Sequence, residues 1–199
     1  MYRNGADYDR MARLAGAVYI DYNIKGFPID EKDVCARMGI SLVPYSAYSQ
    51  ENRLLLNKRS ESSFYMPPTK CSPPLIFYND NKDKVGSYGN MRRNIFHEVK
   101  HFVCGDTDEL PEDDDLADYF GKYFLAPIPY LIVKNIYNIN EIVSTFMVDA
   151  QMASYILKNI CNRKNKYDDC IFDYEKPLLK HFLGEDYESY KFFKAGDGN

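Results

Sequence analysis

Apolar side chains at Tyr8, Met11, Ala12, Ala15, Val18, Tyr19 and Tyr22 recur every three or four positions, which predicts an amphipathic helix over residues 6–22. A second, shorter helix is expected after Asp30, whose carboxylate can cap free amides, and it stops near Gly39. The runs then shorten. Residues 40–44, 53–57, 62–66 and 75–79 are brief apolar or aromatic stretches and read as strands. Pro67-Pro68 and Pro73-Pro74 bracket a turn between the last two, and the polar run 79–84 forms another.

From Gly89 the helical period returns, with Ile95, Phe96, Val99, Phe102 and Val103 on it and Gly105 as its stop. A further helix is predicted over 116–125, closed by Ala126-Pro127-Ile128-Pro129. Residues 141–160 are helical with a break near Val148-Asp149, and a weaker helical signal covers 177–183. The last five residues, 195–199, are expected to be disordered. No internal repeat or long linker interrupts this order, so the chain reads as an α+β protein, mostly helical with a small sheet.

Composition narrows the class. The chain has 199 residues, enough to bury a core without staples, and hydrophobic and charged residues at 45% and 27% are ordinary for a globular protein. A net charge of −4 and a pI near 5.4 give no positive field to recruit phosphates, so direct nucleic-acid binding is not expected. The five cysteines are odd in number and contain no C-x-x-C pair, which argues against a disulfide framework. The N-terminus lacks the apolar core of a signal peptide, and no stretch reaches the roughly 18 apolar residues of a membrane span. A cytoplasmic location is expected.

The chemistry concentrates in His97-Glu98-Val99-Lys100-His101, an H-E-x-x-H pattern that uses two of the chain's three histidines. Positions i and i+4 stack one turn apart on one helix face, so the two imidazoles can grip one metal ion. Glu98 is then placed to act on a water rather than on the metal.

A catalytic zinc needs a third protein ligand. Cys104 and Thr107 stand where a metzincin would need glycine and histidine, which excludes that solution. His181 lies far downstream and reads as a packing or surface residue. Cys104 shares the histidine face but reads better as a small buried hydrophobe. The acidic run ending in Asp113-Asp114-Asp115 is the better source, although acids at a helix start also serve the dipole. Asp114 and Asp118 share a face with Ala117 and Gly121, whose small size would let the two helices approach. Asp114 could ligate the metal, and Asp118 could orient a histidine. Asp115 is the rival for the ligand role.

The flanks of the motif resemble a known family. Met91-Arg92-Arg93-Asn94-Ile95-Phe96-His97-Glu98-Val99-Lys100-His101 is similar to the "R-R-F-T-x-A-H-E-x-G-H" helix of the ImmA/IrrE metallopeptidases. Residues 114–127 resemble that family's "E-x-x-A-N-x-F-A-x-x-L-L-M-P", and residues 146–153 its "F-x-V-S-x-x-A". The likeness spans about residues 8–160.

The resemblance implies a zincin-like domain whose small antiparallel sheet packs on the H-E-x-x-H helix. It spans 1–135, with a helical extension over 136–199. It implies His97, His101 and Asp114 as zinc ligands and Glu98 as general base. The family usually has Glu, Gly and Ala where Asp114, Lys100 and Phe96 stand here.

The expected activity is endopeptidase cleavage of a partner protein, with zinc activating a water and Glu98 taking its proton. The resemblance implies a helix-turn-helix repressor as substrate. Residues 75–78 are a candidate host for an added substrate strand, and Tyr65 and Tyr88 are candidate oxyanion partners. The rival reading is a regulatory protein that binds a partner or DNA without proteolysis, with a vestigial or structural metal site.

Overall fold

The structure, a computed structural model, describes residues 5–106 and 114–189. Most of the described chain is helical, and one small mixed sheet completes an α+β architecture. Helix α1 covers Gly5–Asp21 and α2 covers Glu31–Arg37, the latter capped by Asp30, which accepts from Lys32 N at 2.8 Å. Strand β1 (Ser41–Pro44) leads to α3 (Gln50–Arg59), then β2 (Ser63–Met66) and β3 (Leu75–Tyr78).

The strand order is β1-β3-β2, with β1 parallel and β2 antiparallel to the central β3. The sheet is therefore mixed, not antiparallel as expected. Strand alternation divides its side chains. Phe64 and Phe77 pair across the register and stack with centroids 4.8 Å apart in a small outer cluster with Tyr45. Tyr65 and Ile76 turn the other way and join the main core, where β2 and β3 pack on α5.

Residues 53–57 are helical rather than extended, within α3. The Leu54-Leu55-Leu56 run looks like a strand, but no α3 residue is buried. Ser49 accepts from Asn52 N at 3.4 Å and Arg53 Nε donates to the Tyr48 carbonyl at 2.7 Å, so local bonds hold this helix on the surface. The polar stretch after β3 includes a one-turn helix, α4 (Lys82–Val85), started by Asn81.

Helices α5 (Tyr88–Cys104) and α6 (Asp114–Leu125) form the most extensive helix pair, and α1 packs on α6. Phe96 stacks on Phe124 at 4.7 Å, and Tyr19 stacks on Phe124 at 4.4 Å, so aromatic rings join all three helices. Helix α7 (Ile128–Lys134) follows, then α8 (Ile139–Phe146) and α9 (Ala150–Tyr167). The break between the last two falls at Met147, in the left-handed region, with Asp149 capping α9. Helix α10 (Lys176–Leu183) returns to α1, and one apolar core includes Met152, Ile156, Ile160 and Leu178 alongside α1, α5 and α6. No helix of the described residues is long and apolar enough to cross a membrane. The expectation for residues 195–199 lies outside the described residues.

Candidate metal centre

The site is built where α5 and α6 meet. A Cβ on Gly121 would lie 2.9 Å from the Arg93 carbonyl oxygen and 3.2 Å from His97 N, so only glycine lets α6 come this close. One and two turns earlier on the same face stand Ala117, fully buried, with Asp118, and then Asp114. The approach carries both carboxylates to the histidine face of α5.

His97 and His101 face the same way, with ring centroids 5.3 Å apart. Each imidazole is held at Nδ1. His97 Nδ1 lies 3.1 Å from Asp118 Oδ1, and His101 Nδ1 lies 3.0 Å from Asp106 Oδ2. A carboxylate at Nδ1 favours the tautomer that carries its proton there, which leaves each Nε2 lone pair available to a metal. His97 Nε2 faces Asp114 Oδ1 at 4.0 Å. His101 Nε2 is buried and has no hydrogen-bond partner among the described residues.

One donor atom each from His97, His101 and Asp114 lie within 4.8 Å of one another. Bonds of about 2.1 Å in a tetrahedron put ligands roughly 3.4 Å apart. Asp114, whose side chain is 64% exposed, has the freedom to close that difference. The orphaned Nε2 of His101 and the two-imidazole, one-carboxylate donor set fit a divalent ion, and imidazole with carboxylate accepts zinc among several metals.

The electrostatics divide the two histidines. Burial would lower the His97 pKa, but its hydrogen bond to the Asp118 carboxylate and the charges of Glu98, Asp118 and Asp114 outweigh it and raise it above 6.5. His101 is pushed below 6.5, first by burial and also by Lys100 and His97, against the pull of Asp106. Burial opposes ionisation of Asp118, yet His97, Arg93 and Lys122 overcome it and hold its pKa at about 2.

Glu98 is buried at 4% exposure, and its Oε1 accepts from Ser63 Oγ at 2.7 Å. Ser63 opens β2, so the sheet fixes the glutamate. Together with His97, Asp114 and Arg93, these residues line a cavity of about 470 Å³.

Other expected residues stand outside this donor set. Asp115 is exposed and is not among the converging donors. Cys104 is exposed rather than a buried hydrophobe, because it falls on the last turn of α5, where the helix leaves the core. His181 Nε2 lies 2.8 Å from the Ile24 carbonyl oxygen, in keeping with a packing role. Tyr88 donates its hydroxyl to Glu31 at 2.8 Å and so is engaged away from the histidines. Tyr65 packs edge-on against Phe102. The proposed host strand, β3, is paired on both sides, so it cannot accept a further strand. Its neighbour β2 lies at the sheet edge.

Neither Asp106 nor Ser63 belongs to a motif in the sequence. The signal for Asp106 was its place after Gly105. That glycine is left-handed (φ 69°), and the Asp106 amide returns to the His101 carbonyl at 2.9 Å. This helix-ending turn folds the aspartate back onto the last turn of α5.

No protein-family model matches the chain, and no curated protein matches it in sequence.

Proposed function

We propose that the protein is a metal-dependent endopeptidase, with His97, His101 and Asp114 holding a zinc ion and Glu98 as general base. The observation that carries this reading is the convergence of those three donors beside a sheet-anchored glutamate in an open cleft. A bound divalent ion would make water more acidic and polarise the scissile carbonyl. Glu98 would take the water's proton and return it to the departing amine. Ser63 aims the carboxylate by holding Oε1, and Asp118 and Asp106 fix the two imidazoles. A substrate segment adding to the edge of β2 would run past Ser63 and hence past Glu98. The resemblance of α5 and α6 to the ImmA/IrrE motifs supports a helix-turn-helix repressor as the substrate.

The test is Glu98→Gln in purified, zinc-loaded protein. It is expected to keep the metal and lose cleavage of a co-expressed helix-turn-helix repressor, while Asp114→Ala loses the metal. Undiminished cleavage by the glutamine variant rejects the assignment. Metal retention with no cleavage by the unaltered protein favours the regulatory reading.

A further inference from the structure

Beside the metal cleft a second cavity of about 200 Å³ opens between α5, α6 and the start of α9. Asn90 and Arg93 line both cavities, so the two adjoin. Lys122, Asp149, Gln151, Met152 and Tyr155 form the remaining walls.

Two cations meet in this space. Lys122 Nζ lies 4.5 Å from the Tyr155 ring centroid and 3.6 Å from Asp118 Oδ2. Arg93 Nη1 lies 3.9 Å from the same oxygen. Both side chains are largely shielded, at 19% and 28% exposure, so water screens their charge only in part.

The carboxylates at hand are already engaged. The other oxygen of Asp118 is held by His97 at 3.1 Å. Asp149 accepts from Met152 N at 2.7 Å through Oδ1 and from Ser87 Oγ at 3.3 Å through Oδ2. Arg93 Nη2 donates to Asn94 Oδ1 at 3.0 Å, but Nε of the same guanidinium is buried and has no hydrogen-bond partner among the described residues. A distance of 3.9 Å from Nη1 to Asp118 is an ion pair and too long for a hydrogen bond. The guanidinium thus keeps donor capacity at Nη1, which a carboxylate can take.

The geometry points to a carboxylate-binding subsite formed by Arg93 and Lys122, which takes an acidic side chain or the C-terminal carboxylate of a peptide lying in the metal cleft. Its role in choosing the scissile bond rests on the peptidase reading, but the recognition of the anion does not. Lys122 supplies charge, Arg93 supplies directional donors, and the Tyr155 ring holds the ammonium in place. A substrate anchored here lies about one turn of α5 from His97, since Arg93 and His97 are four apart on that helix.

The test uses three short peptides with acetylated N-termini: one with a glutamate and an amidated C-terminus, one with glutamine and a free C-terminus, and one neutral throughout. Binding is measured by calorimetry on the Glu98→Gln protein, both zinc-loaded and dialysed free of metal. The metal-free arm separates this subsite from direct ligation of zinc by the peptide. At least one carboxylate peptide is expected to bind about tenfold or more tighter than the neutral one in both arms, the loss typical of a missing charge-assisted hydrogen bond. Lys122→Gln should cut that preference severalfold and Lys122→Arg should keep it, with circular dichroism checking that each variant folds. A preference for the glutamate peptide assigns a side-chain subsite, and one for the free C-terminus assigns a chain-end subsite. Equal binding of the neutral peptide, or a preference undiminished by Lys122→Gln, overturns the proposal. If the preference holds while the unaltered protein cleaves nothing, the peptidase reading fails and the subsite stands.

Discussion

Asp106 Oδ2 lies 3.0 Å from His101 Nδ1, and the same oxygen accepts from Lys100 Nζ at 2.8 Å. One aspartate beyond the end of α5 therefore orients the deeper histidine and meets the charge of a lysine that is 2% exposed. An oriented imidazole binds metal better because its lone pair needs no reorganisation, and losing such an orienting partner typically costs about 10–100-fold in affinity. Asp106→Ala is expected to weaken zinc binding by that order, measured by competition with a chromophoric chelator. Asp106→Asn keeps an oxygen acceptor and should lose less. Wild-type affinity in the alanine variant would mean that Asp106 orients nothing.

Metal loading should depend on pH through His97. The carboxylates around it lift its pKa above 6.5 despite burial, whereas His101 lies below 6.5. In the metal-free fold, charged His97 contributes stability that is fully present below the unfolded value and is lost as pH rises through the higher folded value. A metal ion needs the neutral imidazole and competes with that proton. The rise in melting temperature on adding zinc should thus be small near about pH 5.5 and grow towards about pH 8. Asp118→Asn removes the leading contribution that raises His97 and should move this growth to lower pH. A zinc effect that is flat across the range would take His97 out of the ligand set.

Local patterns carried much of this far. The period of α1, α5 and α6 was visible because each buries one apolar face, and the α8–α9 break was visible because the period fails at Val148-Asp149, where Asp149 can cap a new helix. The small face of Ala117 and Gly121 indicated a close approach of α6, and Gly121 indeed has the backbone of α5 against it. What stayed hidden depended on distant partners. The parallel pairing of Ser41 with Leu75 joins segments separated by a helix and another strand, and nothing in either segment encodes that choice. The α3 leucines follow a strand-like run, yet Leu54 and Leu55 are exposed and only Leu56 packs on the outer cluster, so a serine cap starts a helix there instead. Asp106 and Ser63 enter the site through a turn and a strand register, neither of which side-chain spacing on α5 can report.

Arg92 is the buried tie that holds the back of α5 in place. At 1% exposure it pairs through Nε with Glu31 Oε2 at 3.1 Å. Its Nη1 donates to the carbonyls of Phe146 at 2.7 Å and Met147 at 3.0 Å, and its Nη2 donates to the Ile29 carbonyl. One guanidinium thus joins α5 to the loop before α2 and to the end of α8, and Tyr88 completes the shell by donating to Glu31. A buried pair often adds little net stability, but removing one partner leaves an uncompensated charge that typically costs about 3–5 kcal/mol. Arg92→Met retains volume while leaving Glu31 without its guanidinium and three carbonyls without that donor. It is expected to lower unfolding free energy by about 3 kcal/mol or more in urea titrations. The double variant with Glu31→Met should recover part of the loss, because it removes the buried charge. A loss below about 1 kcal/mol for Arg92→Met would mean that water replaces the guanidinium and that α5 is held by its apolar face alone.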